Sequence, residues 1–246
     1  MKSILAVATA FGCVAAASAG SITGPVLRFD VRSGDRVGSY VVNYDEARYN
    51  TTTGEYSWSE NSAVNVVDQY GNVMASIGQM WTYYVIDPVI SLGFLVTAGN
   101  ADTSFTISSA LLEFDPLNPA QATASAQVGA TDNDGNGVTV TGRYAGDTKS
   151  YIANYNGFVP AGTNFASLVN NQSGGAFASI VQSEGRLAGG GFDDVPGSIS
   201  SMSSSFSFTL SANDSAGGTS VFVTTPEPSS LALLGLGVLG LLRRGR

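Results

Sequence analysis

A dense set of hard-cation ligands lies in the run Asp132-Asn133-Asp134-Gly135-Asn136-Gly137. Asp132, Asp134 and Asn136 occupy alternate positions and Gly137 follows, which matches the first half of the D-x-[DN]-x-[DN]-G calcium loop, where a sharp turn converges oxygen ligands on the ion. The second half departs from that pattern. Its twelfth position is Arg143 where a bidentate glutamate belongs, so a complete EF-hand is excluded. A shortened loop still binds calcium when another loop supplies the missing carboxylate, and calcium is the one cofactor to expect here. The alternative is a polar hairpin loop between strands at 126–129 and 138–141, with Asn and Gly taking left-handed backbone conformations.

Other residue types suit a glycan. Tyr40, Tyr44, Tyr49, Tyr56, Trp58, Tyr70, Trp81, Tyr83 and Tyr84 crowd the first third of the chain. Exposed rings of this kind stack on sugar faces while hydroxyls and carboxylates bond the ring substituents. Trp58, within Glu55-Tyr56-Ser57-Trp58-Ser59-Glu60, is the ring expected at the surface, and most of the others suit the core or its rim. Glycosidic hydrolysis needs two carboxylates, and Glu113/Asp115, Asp45/Glu46 and Asp193/Asp194 are the pairs available. None has a distinguishing context, so the expectation is a non-enzymatic protein, with a carbohydrate-active enzyme as the alternative.

Absences narrow the chemistry further. The chain has no histidine, and its single cysteine, Cys13, lies near the N-terminus. Ser-His-Asp triads and His- or Cys-ligated zinc are thereby excluded, and catalysis would be left to Asp, Glu, Tyr, Lys or Arg.

Both ends read as export signals. Lys2 opens a positive n-region, residues 4–17 form an apolar h-region, and Ala17-Ser18-Ala19 is an A-x-A cleavage site, so residues 1–19 are a signal peptide and the mature chain begins at Gly20. Cys13 then leaves with the signal. The competing lipoprotein reading, with Cys13 as the lipidated first residue, has a poor lipobox in Ala10-Phe11-Gly12. At the other end Pro226-Glu227-Pro228 precedes an apolar run over 231–242 and the basic cluster Arg243, Arg244 and Arg246. As a helix of about 1.5 Å rise per residue this run is short against a bilayer core of about 30 Å, which makes it a weak anchor, with the arginines holding the terminus on the cytoplasmic side. The proline-flanked strip before it is expected to be open to a processing enzyme.

This tail resembles the PEP-CTERM sorting signal of exported proteins from Gram-negative bacteria. The resemblance implies removal of residues 225–246 by an exosortase, transient anchoring in the inner membrane, and a final place at the cell surface or in the extracellular matrix. PEP-CTERM proteins are associated with exopolysaccharide-producing species, so it also implies a structural or adhesive role linked to exopolysaccharide and the biofilm matrix. The same type of tail occurs on some ice-binding proteins, but the flat threonine arrays this would need are reduced here to Thr139-x-Thr141 and Thr51-Thr52-Thr53. Without the two ends, 7 basic residues face 18 acidic ones, a balance of −11. That charge argues against nucleic acid and anionic surfaces as partners.

Between the ends, residues 20–224 read as one all-β domain, an antiparallel β-sandwich that is jelly-roll-like or immunoglobulin-like. Short apolar or alternating segments are separated by turn signals such as Asp87-Pro88, Asn156-Gly157 and Gly189-Gly190-Gly191. Phe105-Thr106-Ile107 and Phe206-Ser207-Phe208-Thr209-Leu210 alternate as half-buried strands should. The near-continuous apolar stretch 80–97 suggests a central hairpin buried on both faces. The serine-rich 198–205 suggests an irregular lead-in to an edge strand.

Overall fold

The computed structural model describes residues 20–226; the expected signal peptide, and the tail from Glu227 onward with its apolar run and arginines, lie outside the described residues. The strands are β1 (Ser21–Ser33), β2 (Arg36–Val42), β3 (Arg48–Asn50), β4 (Glu55–Glu60), β5 (Val64–Val67), β6 (Val73–Val85), β7 (Val89–Ala98), β8 (Thr103–Leu117) and β9 (Ala120–Thr131). They continue with β10 (Val138–Gly142), β11 (Lys149–Tyr155), β12 (Thr163–Asn170), β13 (Gln172–Gly174), β14 (Ser179–Gly185), β15 (Asp193–Val195), β16 (Ile199–Leu210) and β17 (Ser215–Pro226). The single helical element among the described residues is a 3-10 turn at Tyr44–Glu46.

All pairings are antiparallel, in two sheets. The first runs β12-β11-β16-β8-β1-β2, with β10 attached to β16 and β13 to β10; the second runs β14-β9-β17-β7-β6-β4-β3, with β15 on β9 and β5 on β6. The sheets face each other as a sandwich, as the alternation implies. Phe94 of β7 meets Phe206 and Phe208 of β16 at ring distances of 5.0 and 5.7 Å, and Phe165 of β12 stacks on Phe222 of β17 at 5.5 Å. Phe105, Ile107, Phe206, Phe208 and Leu210 are buried, and each such side chain contributes about 1.5–3 kcal/mol of hydrophobic stabilisation.

Two expectations are corrected. The serine-rich segment is no lead-in: β16 starts at Ile199 and lies in the middle of the first sheet, between β11 and β8. Its outward hydroxyls meet those of β8 directly across the ladder, Thr209 with Ser104 at 2.8 Å, Ser207 with Thr106 at 2.8 Å and Ser205 with Ser108 at 3.1 Å. Cross-strand hydroxyl pairs let serine serve a central strand. The hairpin of β6 and β7 is central in the second sheet, but β6 is buried on one face only: Met80, Thr82 and Tyr84 point inward, while Trp81 and Tyr83 stand half-exposed outside and Leu95 of β7 is exposed. The apolar run is continuous because aromatic rings occupy the outer face, where they are partly solvated.

Candidate functional site

The acidic run does not close a hairpin. Residues 132–137 carry the chain from β9 in the second sheet to β10 in the first, over one pole of the sandwich. Asp132 organises this arch. Its Oδ1 accepts the amides of Asp134 (3.2 Å) and Gly135 (2.9 Å), and its Oδ2 accepts those of Gly137 (3.0 Å) and Phe177 (2.6 Å). Gly135 and Gly137 have φ of 83° and 98°, conformations that suit glycine. Burial pushes the Asp132 carboxyl up, but the four amides outweigh it and hold it at about 2.

The structure adds a carboxylate that the sequence did not connect to this loop. Asp214, in the turn between β16 and β17, is buried and offers an oxygen that lies, with one each from Asp132 and Asp134, within 4.8 Å of one another. Asn136 belongs to the same group through Nδ2, which donates to Asp134 Oδ2 at 2.9 Å. Amides and hydroxyls serve the remaining carboxylates too: Asn133 N and the Ser211 hydroxyl donate to Asp214, and Asn213 Nδ2 donates to Asp134 Oδ2 at 3.0 Å. Three acidic groups at this spacing suit a hard cation, and the donors around them equally suit a closed loop without one. Only its position after β16, not any spacing motif, brings Asp214 here.

At least one member of each carboxylate pair has a partner of its own. Glu113 accepts from Thr23 Oγ1 at 2.5 Å and is exposed on β8 with Asp115. Glu46 accepts the Asn43 amide at 2.8 Å, Asp193 pairs with Arg186 at 3.0 Å, and Asp194 accepts from Gln121 Nε2 at 2.7 Å. Trp58 shares the inward face of β4 with Tyr56 and packs half-buried against the core. The outward tryptophan is Trp81, whose indole lies across β7 at Gly93.

Both ends of the described chain emerge at the pole opposite the acidic arch. Pro226 is paired with Ala120 at the start of β9, and Thr224 donates its amide to Pro88 O in the turn between β6 and β7. Ser21 pairs with Glu113 near the end of β8, and Gly20 lies against Ile86 of the β6–β7 turn. The tail therefore leaves directly from β17, a strand hydrogen-bonded on both sides. Among the described residues no helix is long and apolar enough to cross a membrane.

No curated protein compared with the chain matches it. Residues 224–246 match the PEP-CTERM protein-sorting motif, which marks the chain as an exported protein sorted through an exosortase and transiently anchored at the membrane.

Proposed function

We propose that the protein is a non-enzymatic structural or adhesive component of the Gram-negative cell surface or extracellular matrix, linked there to exopolysaccharide. The observation that carries this reading is the shared pole of Gly20 and Pro226. Signal peptide and sorting tail would both tether the unprocessed chain at that pole, which leaves the acidic arch at the far pole and both outer sheet faces standing clear of the membrane. An acidic surface of this kind repels anionic lipid and stays soluble beside it. Glu113, Glu46, Asp193 and Asp194 each engage a partner of their own, which suits surface display better than glycoside hydrolysis.

Cell fractionation tests the sorting step. Glu227→Gln, or deletion of residues 231–246, is expected to shift the protein from the surface fraction and to change its apparent mass. An unchanged fraction and mass in both variants would refute the reading. Calcium belongs to the same proposal, with Asp132, Asp134, Asn136 and Asp214 around the ion. A melting temperature that rises with calcium in the native chain and not in Asp214→Asn assigns the site, and one indifferent to calcium and chelator leaves these groups as loop organisers.

A further inference from the structure

Trp81 pairs with Gly93, Gly93 with Thr219, and Thr219 with Gln127, so these residues stand in one row across the outer face of β6, β7, β17 and β9. Ser183 of β14, paired with Gln127, extends it. At Gly93 the indole takes the place of a side chain: a Cβ there would lie 2.1 Å from Trp81 Nε1, 2.2 Å from Cε2 and 2.6 Å from Cζ2. Nε1, Cε2 and Cζ2 run along one edge of the indole, so that edge covers the glycine, while the half-exposed ring keeps part of its surface toward solvent.

Depressions adjoin the ring on both sides. One of about 450 Å³ is bounded by Ser57, Ser59 and Tyr83, and one of about 290 Å³ by Gln79, Gln127 and Thr219. A third, of about 310 Å³, continues past Gln127 and Thr219 to Ser125 and Ser183. Together they form a trough across the strands from β4 to β14, roughly 24 Å long at about 4.8 Å between neighbours.

The lining selects the occupant. Ser183 Oγ donates to Gln127 Oε1 at 2.8 Å, which orients the amide and leaves its NH₂ group free to donate outward. No charged side chain stands in the row from Trp81 to Ser183. Arg28, Asp30, Arg32 and Arg143 belong to the outer face of the other sheet, Glu46 and Arg48 close the β4 end, and Glu184, which borders the depression at β14, is held in an ion pair by Lys149 at 3.0 Å. A peptide adding as a strand needs an unpaired edge, and β6, β7, β17 and β9 are paired on both sides. An anionic polymer would need cations that this row lacks. A ring face followed by uncharged donors and acceptors instead fits a chain of neutral sugars, with C–H faces on the indole and hydroxyls on the amides and alcohols.

We infer that this trough binds an uncharged polysaccharide, with Trp81 as the stacking platform and Gln127, Ser183 and Thr219 as the hydrogen-bonding row. The inference rests on the surface or matrix role proposed above and gives it a ligand class. The full exported chain, run in gels containing dextran, galactomannan or hydroxyethylcellulose, is expected to be retarded by at least one of them and not by alginate. Trp81→Ala should weaken that retention about tenfold, and Gln127→Ala, at an exposed position that leaves the core intact, should weaken it less. In Trp58→Phe the remaining tryptophan is Trp81, and its emission should shift on adding the retained polysaccharide. No retardation by any neutral polymer, retardation by alginate alone, or equal retention in both variants would overturn the inference. Fractionation of cells producing Trp81→Ala separates the two claims: the variant still reaches the surface if only the trough is lost, whereas a native chain absent from the surface defeats the role on which the trough rests.

Discussion

The carboxylate of Asp132 sits under a ring of backbone donors, and Asp68 repeats the arrangement. Asp68 accepts the amides of Tyr70 and Asn72, both at 2.9 Å, and Arg36 Nε at 2.7 Å. Burial opposes ionisation of both groups, yet the hydrogen bonds hold each at about 2 against an ordinary value of 3.8. Since the folded values are depressed, their stabilisation is complete above about pH 4 and is lost as pH falls toward 2. Asp132→Asn is therefore expected to melt below the native protein at pH 7, with a gap that narrows steadily from about pH 4 and closes only below pH 2, as thermal melts across that window would show. At Gly93 the constraint is steric. Gly93→Ala sets a methyl into the Trp81 indole and should cost about 1–3 kcal/mol in chemical denaturation, with a change in tryptophan emission.

At the scale of elements, two tyrosines link the sheets in contrasting ways. Tyr84 of β6 reaches across the core, where its hydroxyl donates to Val26 O and accepts the Ala110 amide at 2.9 Å. Tyr151 of β11 points toward Ser204 and Ser220, and none of the three hydroxyls completes a hydrogen bond. Burial pushes both phenols up to about 12, so each is neutral at any physiological pH. Tyr84→Phe leaves the Ala110 amide and the Val26 carbonyl short of a partner and should cost about 1–3 kcal/mol. Tyr151→Phe removes an oxygen without a partner, and denaturant titration is expected to find it neutral or stabilising. Ser205 and Ser207 of β16 show how an element can hide in composition: their hydroxyls are satisfied by β8, a strand far away in sequence.

For the whole molecule, the decisive fact is that the last described strand is central. β17 lies between β9 and β7, and Phe222 within it is fully buried against Phe165. The sandwich cannot close until residues adjoining the sorting motif have joined it. A chain ending at Pro226 is expected to unfold cooperatively near the native temperature, whereas one ending at Ser220 loses Phe222 and the pairing beyond it and should give no cooperative calorimetric transition. The same connection places the first residues of the PEP-CTERM match, Thr224 to Pro226, at the pole itself, since Pro226 still pairs with Ala120.

Residue order alone determined the sorting tail and the all-β sandwich, because both are local patterns. A Pro-Glu-Pro motif with its apolar run and arginines is contiguous, and the period-two alternation at 105–107 and 206–210 needs no knowledge of partners. Tertiary structure decided which strands are central, that 132–137 bridges the sheets, that Asp214 joins Asp132 and Asp134, and that Trp81 rather than Trp58 faces outward. Each of those depends on register between strands distant in the chain. A shift of one residue exchanges the two faces of a strand, and hydrogen bonds from neighbouring strands set that register.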